Sequence, residues 1–157
     1  MIYMKIEGID GNVTSSGHEK WIELGSLQWG ISRMTNMSAG AGHERETSAP
    51  QMTEFSVTKQ MDEASPKIFQ EACSGQAKKV QIHLVRTAND KLQTYMEYEL
   101  DNCLVSAYSV SSGGDAPTEA LAFAYTKVTM KFTHWDKSNK PGTPIAASYD
   151  LETAKKG

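Results

Sequence analysis

Residues 93–110, QTYMEYELDNCLVSAYSV, decide how the rest of the chain is read. Met96, Tyr98, Leu100 and Leu104 fall on even positions, while Glu97, Glu99 and Asp101 occupy the odd positions between them. Side chains alternate across a strand, so this period of two describes an extended segment with one apolar and one charged face. Strands usually run about 5–6 residues, and this one is far longer. A strand that long outruns the core of one small domain.

Working outward, the same period recurs in both directions. Val80, Ile82 and Leu84 share a face and lead into Asn89-Asp90, a turn signal between two strands. At the N-terminus Ile2, Met4 and Ile6 face one way, and Tyr3, Lys5 and Glu7 the other. From Trp21 to Ser32 the pattern predicts one long strand with Trp21, Leu27, Trp29 and Ile31 together and Ser26, Gln28 and Ser32 opposite; Glu23 and Gly25 interrupt its apolar face. Phe55 and Val57 open a further strand that runs to Met61.

Beyond the Gly113-Gly114-Asp115 break, Thr118–Trp135 changes phase. Leu121, Phe123 and Tyr125 are odd, whereas Val128, Met130 and Phe132 are even. A β-bulge produces such a slip and helps bend a sheet into a barrel; a strand buried on both faces is the alternative. Ile145, Ala147, Tyr149 and Leu151 make the last alternating strand.

Two segments break the β pattern. Residues 65–74 read as a helix, with Ser65 as N-cap, Pro66 in the first helical position and Gly75 ending it. Ile68, Phe69, Ala72 and Cys73 wind onto one stripe of that helix. Residues 34–52, MTNMSAGAGHERETSAPQM, have no period at all. A loop this long within a compact domain reaches a partner or is disordered. The expectation is one domain over 1–157: mainly β, an antiparallel barrel or sandwich with one flanking helix.

Composition bounds the function. A net charge of −3 and a pI near 5.8 supply no basic field for phosphates, so nucleic acid is not an expected partner. The first residues, MIYMKIEGID, lack the apolar run of a signal peptide, and no later stretch suits a membrane span. Export would need a route independent of a cleaved leader.

No constellation for catalysis emerges. His18, His43, His83 and His134 sit in separate segments without metal-ligand spacing, and His83 points away from the Val80, Ile82, Leu84 stripe, toward solvent or an interface. Glu97, Glu99 and Asp101 read as a solvated or interfacial stripe, one that could also line a channel or meet a basic neighbour. Cys73 and Cys103 match no zinc, redox or disulfide spacing and are expected to be buried free thiols. No catalytic residue, metal site or cofactor is expected.

Several segments in order carry a family likeness: MIYMKIEGIDG, HEKWIELGSLQWGISR, FSVTKQMDEASPKIFQEACSGQ, YELDNCLVSAYSVSSGG, PTEALAFAYTKVTMKF and AASYDLETAKK. Ala64-Ser65-Pro66-Lys67, Ala72-Cys73 and Pro117–Glu119 are the most specific pieces. Together they resemble the haemolysin-coregulated protein (Hcp) family of type VI secretion.

The resemblance implies a barrel of two sheets with a helix beside it, assembling as a hexameric ring around a wide hole. Rings would stack into a tube inside a contractile sheath, tipped by a VgrG spike, with small effector proteins in the lumen. The subunit would be made in the bacterial cytoplasm and then secreted by the type VI system without a signal peptide. On this reading Ser38, Gly40, Gly42, His43, Glu44 and Arg45 are the candidate ring or stacking loop, and Ser26, Gln28 and Ser32 the candidate lumen surface. A monomeric ligand-binding or toxin-like secreted barrel, and a tail-tube subunit of a phage-like injection device, are the alternatives.

Overall fold

The computed structural model describes residues 1–35 and 48–157. Its elements in chain order are β1 (Ile2–Ile6), β2 (Ile22–Leu24), β3 (Ser26–Gln28), β4 (Ile31–Ser32), β5 (Gln51–Met52), β6 (Phe55–Gln60), α1 (Ser65–Ser74), β7 (Lys78–Ala88), β8 (Lys91–Ser111), β9 (Thr118–Ala124), β10 (Lys127–Phe132), β11 (Ile145–Asp150) and β12 (Lys155–Lys156). All pairings are antiparallel. The first sheet has the order β12-β11-β10-β8-β7-β1-β2; the second runs β3-β6-β9-β8.

β8 belongs to both sheets, which makes the structure a barrel of two sheets joined along one strand. Its first part pairs with β10 at Met96–Asp101, and its last part pairs with β9 at Leu104–Ser111. Between them Asn102 takes a left-handed φ of 51°, a conformation that short polar side chains tolerate better than most. That kink rephases the strand. Cys103 therefore takes the core position, while Leu104, expected on the apolar face, is 45% exposed. At the other end, Asn89 and Asp90 both have positive φ and turn β7 directly into β8.

The first sheet's inner face is built of aligned apolar rows. Directly opposed residues share a face, so Ile22, Met4, Ile82, Tyr98, Met130 and Ala147 form one row, and Leu24, Ile2, Leu84, Met96, Phe132 and Ile145 form the next. The second sheet answers with Phe55, Val57, Leu121 and Phe123, all buried. Each such side chain contributes about 1.5–3 kcal/mol on burial. Ile68 of α1 closes the core at one end.

Four sequence expectations need correction. The predicted strand over 21–32 is three short ones, because the chain changes sheets at Gly25, whose N–H donates to Thr58 O at 2.7 Å. Ile22 and Leu24 face the core from the first sheet, and Leu27 and Trp29 pack on it from the second region. Ile31 is 55% exposed. The phase change near Tyr125 likewise marks a crossover, from β9 in one sheet to β10 in the other, rather than a bulge.

Ser65 is the first helical residue rather than the N-cap; Ala64 precedes it, and the Asp62 carboxylate accepts the Ala64 N–H at 3.0 Å. Gly75 does end the helix, in an extended rather than left-handed conformation, and a side chain there would collide with the Glu71 carbonyl. Finally, Cys103 is buried but Cys73 is exposed, since only Ile68 of the predicted stripe is fully covered and Phe69 is 55% exposed.

Candidate functional site

The outer face of the second sheet gathers small, neutral residues from four strands. Ser26 and Gln28 of β3 lie opposite Thr58 and Ser56 of β6; Ser56, Thr58 and Gln60 lie opposite Ala122, Ala120 and Thr118 of β9; these in turn meet Ala107, Ser109 and Ser111 of β8. None of these side chains is charged. Ser26 Oγ and Thr58 Oγ1 are 2.6 Å apart and share a hydrogen bond. The sequence picked out Ser26 and Gln28, and the fold sets both on this face. It does not bring Ser32 there: Ser32 sits on β4, opposite Gln51 of β5.

The β4–β5 ribbon flanks the segment expected as a loop over 34–52, and its second strand, Gln51–Met52, shows that the last two of those residues are strand instead. Met34 N–H donates to Ser48 Oγ at 3.0 Å, and Ser48 N–H to Met34 O at 3.1 Å, holding the two ends together. Ser38, Gly40, Gly42, His43, Glu44 and Arg45 lie outside the described residues.

A second surface arises because the first sheet is wider than the second. Its inner apolar rows continue onto β10 and β11 past the cover of the second sheet. Exposure rises along the row from Leu24 at 5% to Phe132 at 42% and Ile145 at 75%. Met130, beside them, is 39% exposed. The final strand is thus real, but its apolar side chains are not core. Along its edge, β12 and Gly157 cover Ser148, Tyr149 and Asp150 and leave the Ile145 end open.

The first sheet's outer face is charged and internally paired. Glu97 accepts from Lys131 Nζ at 2.7 Å and lies 3.2 Å from His83 Nε2; Lys79 reaches Glu99 at 3.1 Å and Asp101 at 3.7 Å. The acidic trio therefore meets cations of its own chain, across strands. Over one end of this face the segment 11–21 folds back, burying Tyr3 and His18. His18 Nε2 and His83 Nδ1 are 2.9 Å apart, with Trp21 packed against both rings.

Burial pushes His83 down to about 4, against the pull of Glu97, and lowers His18 as well. His83 does point away from the apolar stripe, yet it is covered rather than solvated. Its partnership with a residue so distant in sequence leaves no local spacing to find.

Sequence reading also missed the buried ion pair of Lys59 and Glu119. Both alternate with apolar neighbours, which predicts Lys59 on the core side of β6 but gives no reason for a charge there. Among the described residues no cluster of three or more His, Cys, Asp or Glu could hold a metal ion, and no helix is long and apolar enough to cross a membrane.

Comparison with known proteins agrees with this architecture. The family model described as "Type VI secretion system effector, Hcp" matches residues 3–132. A solved structure of a type six secretion system protein superposes with a TM-score of 0.91 at 33% identity, covering 99% of this chain and 98% of that one. Hcp1 from Salmonella typhimurium gives 0.80 at 27% identity, with 99% and 97% covered. A type VI secretion system effector from Yersinia pestis gives 0.74 at 20% identity over 96% and 99%, and bears on the fold alone. No curated protein matches the sequence.

Proposed function

The chain belongs to the Hcp family of type VI secretion proteins, and from that premise we propose that it is a structural subunit of the secretion tube, built from stacked hexameric rings. The observation that carries this reading is the apolar overhang of Met130, Phe132 and Ile145 on the inner face of β10 and β11. Those side chains belong to the rows that make the core, and in a lone subunit they meet water. A neighbouring copy seated on them extends the core from one subunit to the next, and head-to-tail contacts of this kind close into rings.

The neutral face of the second sheet, with Ser26 and Gln28, is the lumen surface in this proposal. Small uncharged side chains hold passing proteins by neither charge nor large apolar area, so effectors of either sign remain mobile. The loop expected over 34–52, with Ser38, Gly40, Gly42, His43, Glu44 and Arg45, is retained as the element reaching a neighbouring subunit or ring. A VgrG spike, a contractile sheath and small effectors are the accompanying partners, and the subunit passes from the bacterial cytoplasm through the type VI system. No cofactor enters this role.

Light scattering after size exclusion, with negative-stain imaging, tests the proposal. Rings of six subunits are expected. A monomer at every concentration, with no ring images, would count decisively against it and favour a solitary carrier barrel.

A further inference from the structure

His18 and His83 share one hydrogen bond, and a carboxylate oxygen of Glu97 lies 3.2 Å from the far nitrogen of His83. A carboxylate accepts and does not donate, so His83 carries its proton on Nε2 toward Glu97. His83 Nδ1 is then a lone pair, and His18 must donate to it from Nε2 across 2.9 Å. That leaves His18 Nδ1 as a bare acceptor, buried and without a hydrogen bond. The bond between the rings therefore needs one bare nitrogen, and two protonated rings cannot share it.

Any added proton opposes this arrangement. On His83 Nδ1 it sets two N–H donors against each other; on His18 Nδ1 it places a charge that burial beneath Tyr3 and Trp21 disfavours, against the pull of Glu19, the Ser16 backbone and Glu97, and a proton on each ring puts two cations in contact. We propose that His18, His83 and Glu97 form a proton-operated latch, which holds the 11–21 segment on the first sheet at neutral pH and releases it on acidification while the barrel stays folded.

The segment's other ties to the sheet are few. Tyr3 OH and Ser15 Oγ are 3.1 Å apart, and most of its remaining bonds are internal, as between Val13 and Lys20 or Trp21. Around the pair stand Glu19 of the segment, Tyr3 and Lys5 of β1, Glu23 of β2, Glu97 and Glu99 of β8, Lys131 of β10 and the N-terminal amine, which donates to Val85 O. Asn12 and Val13 also wall a groove of about 570 Å³ with Met61 and Asp62, so release of the segment widens that groove.

The sign follows from burial. Both rings are held below the ordinary 6.5, so the latch's stability is fully present above that pH and is lost as pH falls toward about 4. The test is histidine-ring ¹⁵N NMR, with amide exchange corrected for intrinsic rates, on the full chain from about pH 7.5 to pH 5. At the upper pH both rings should be Nε2–H tautomers. At the lower, Val13, Lys20 and Trp21 amides should exchange about tenfold faster while β7 and β8 amides hold.

His18→Phe keeps the ring packing without the proton and should leave the segment protected at both pH values. Glu97→Gln removes the charge that favours the protonated rings and should shift release of the segment to lower pH. Ordinary titration of both histidines, pH-independent exchange in the wild type, undiminished pH dependence in His18→Phe, or release at an unchanged or higher pH in Glu97→Gln would each overturn the latch.

Discussion

Lys59 Nζ and Glu119 Oε1 meet at 2.5 Å, with both side chains wholly buried. Lys59 Nζ also lies within hydrogen-bond distance of Gln60 O, Asp62 Oδ1 and Ser65 Oγ, and the carboxylate accepts from Ser65 and Tyr108 hydroxyls. β6, β8, β9 and α1 are thereby tied at one point. A buried pair so fully bonded survives its desolvation cost, but one partner alone does not.

Glu119→Ala should therefore lower unfolding stability by about 3–5 kcal/mol in urea titrations, and Lys59→Met with Glu119→Leu together by clearly less. Equal losses in the single and double variants would mean that packing, not charge, holds this junction.

Acid sensitivity should track the same carboxylate. Burial by itself would raise its pKa, but bonds from Lys59, Ser65 and Tyr108 outweigh that and hold it below 4.5. The folded form then gives up its proton more readily than the unfolded one, so this contribution is present above 4.5 and is lost as pH falls below it. Chemical unfolding across that range should steepen with acid in the wild type and flatten in Glu119→Gln; identical slopes would exclude Glu119.

The two thiols should separate by reactivity. Cys73 is exposed, whereas burial pushes Cys103 up to about 12. A thiol reagent at neutral pH should modify Cys73 in the native protein and reach Cys103 only in denaturant. Rapid native labelling of Cys103 would contradict its place in the core.

Ring formation should depend on the overhang. Phe132→Asp or Ile145→Asp removes about 1.5–3 kcal/mol of apolar burial from each subunit contact. Light scattering should then report monomers whose circular dichroism matches the wild type. Intact rings would relocate the interface.

Orientation of the second sheet is measurable by spin labels in a Cys73→Ser background. Labels at Ser56→Cys, on the neutral face, should lie closer across the ring than labels at Thr129→Cys, on the outer face of the first sheet. The reverse order would put the neutral face on the outside of the tube.

How far the sequence reads depends on how local each interaction is. Alternation found β1, β7, the first half of β8 and the β7–β8 turn, because a strand's faces follow from neighbouring residues alone. It mistook sheet crossovers at Gly25 and Tyr125 for a continuous strand and a bulge, because a phase slip looks the same whichever sheet receives the chain. Ser26 and Gln28 were legible as a polar face; Ser56, Thr58, Ala120 and Ala122, which complete that face, needed the register of three other strands.

By itself, then, the sequence determined an antiparallel β protein with one helix after Ala64 and a family likeness carried along most of the chain. Only the tertiary structure decided that Lys59 finds Glu119, that His18 finds His83, and that the rows ending in Phe132 and Ile145 run past the core into solvent. Those outcomes depend on which distant strands lie side by side, and periodicity within a segment carries no information about that.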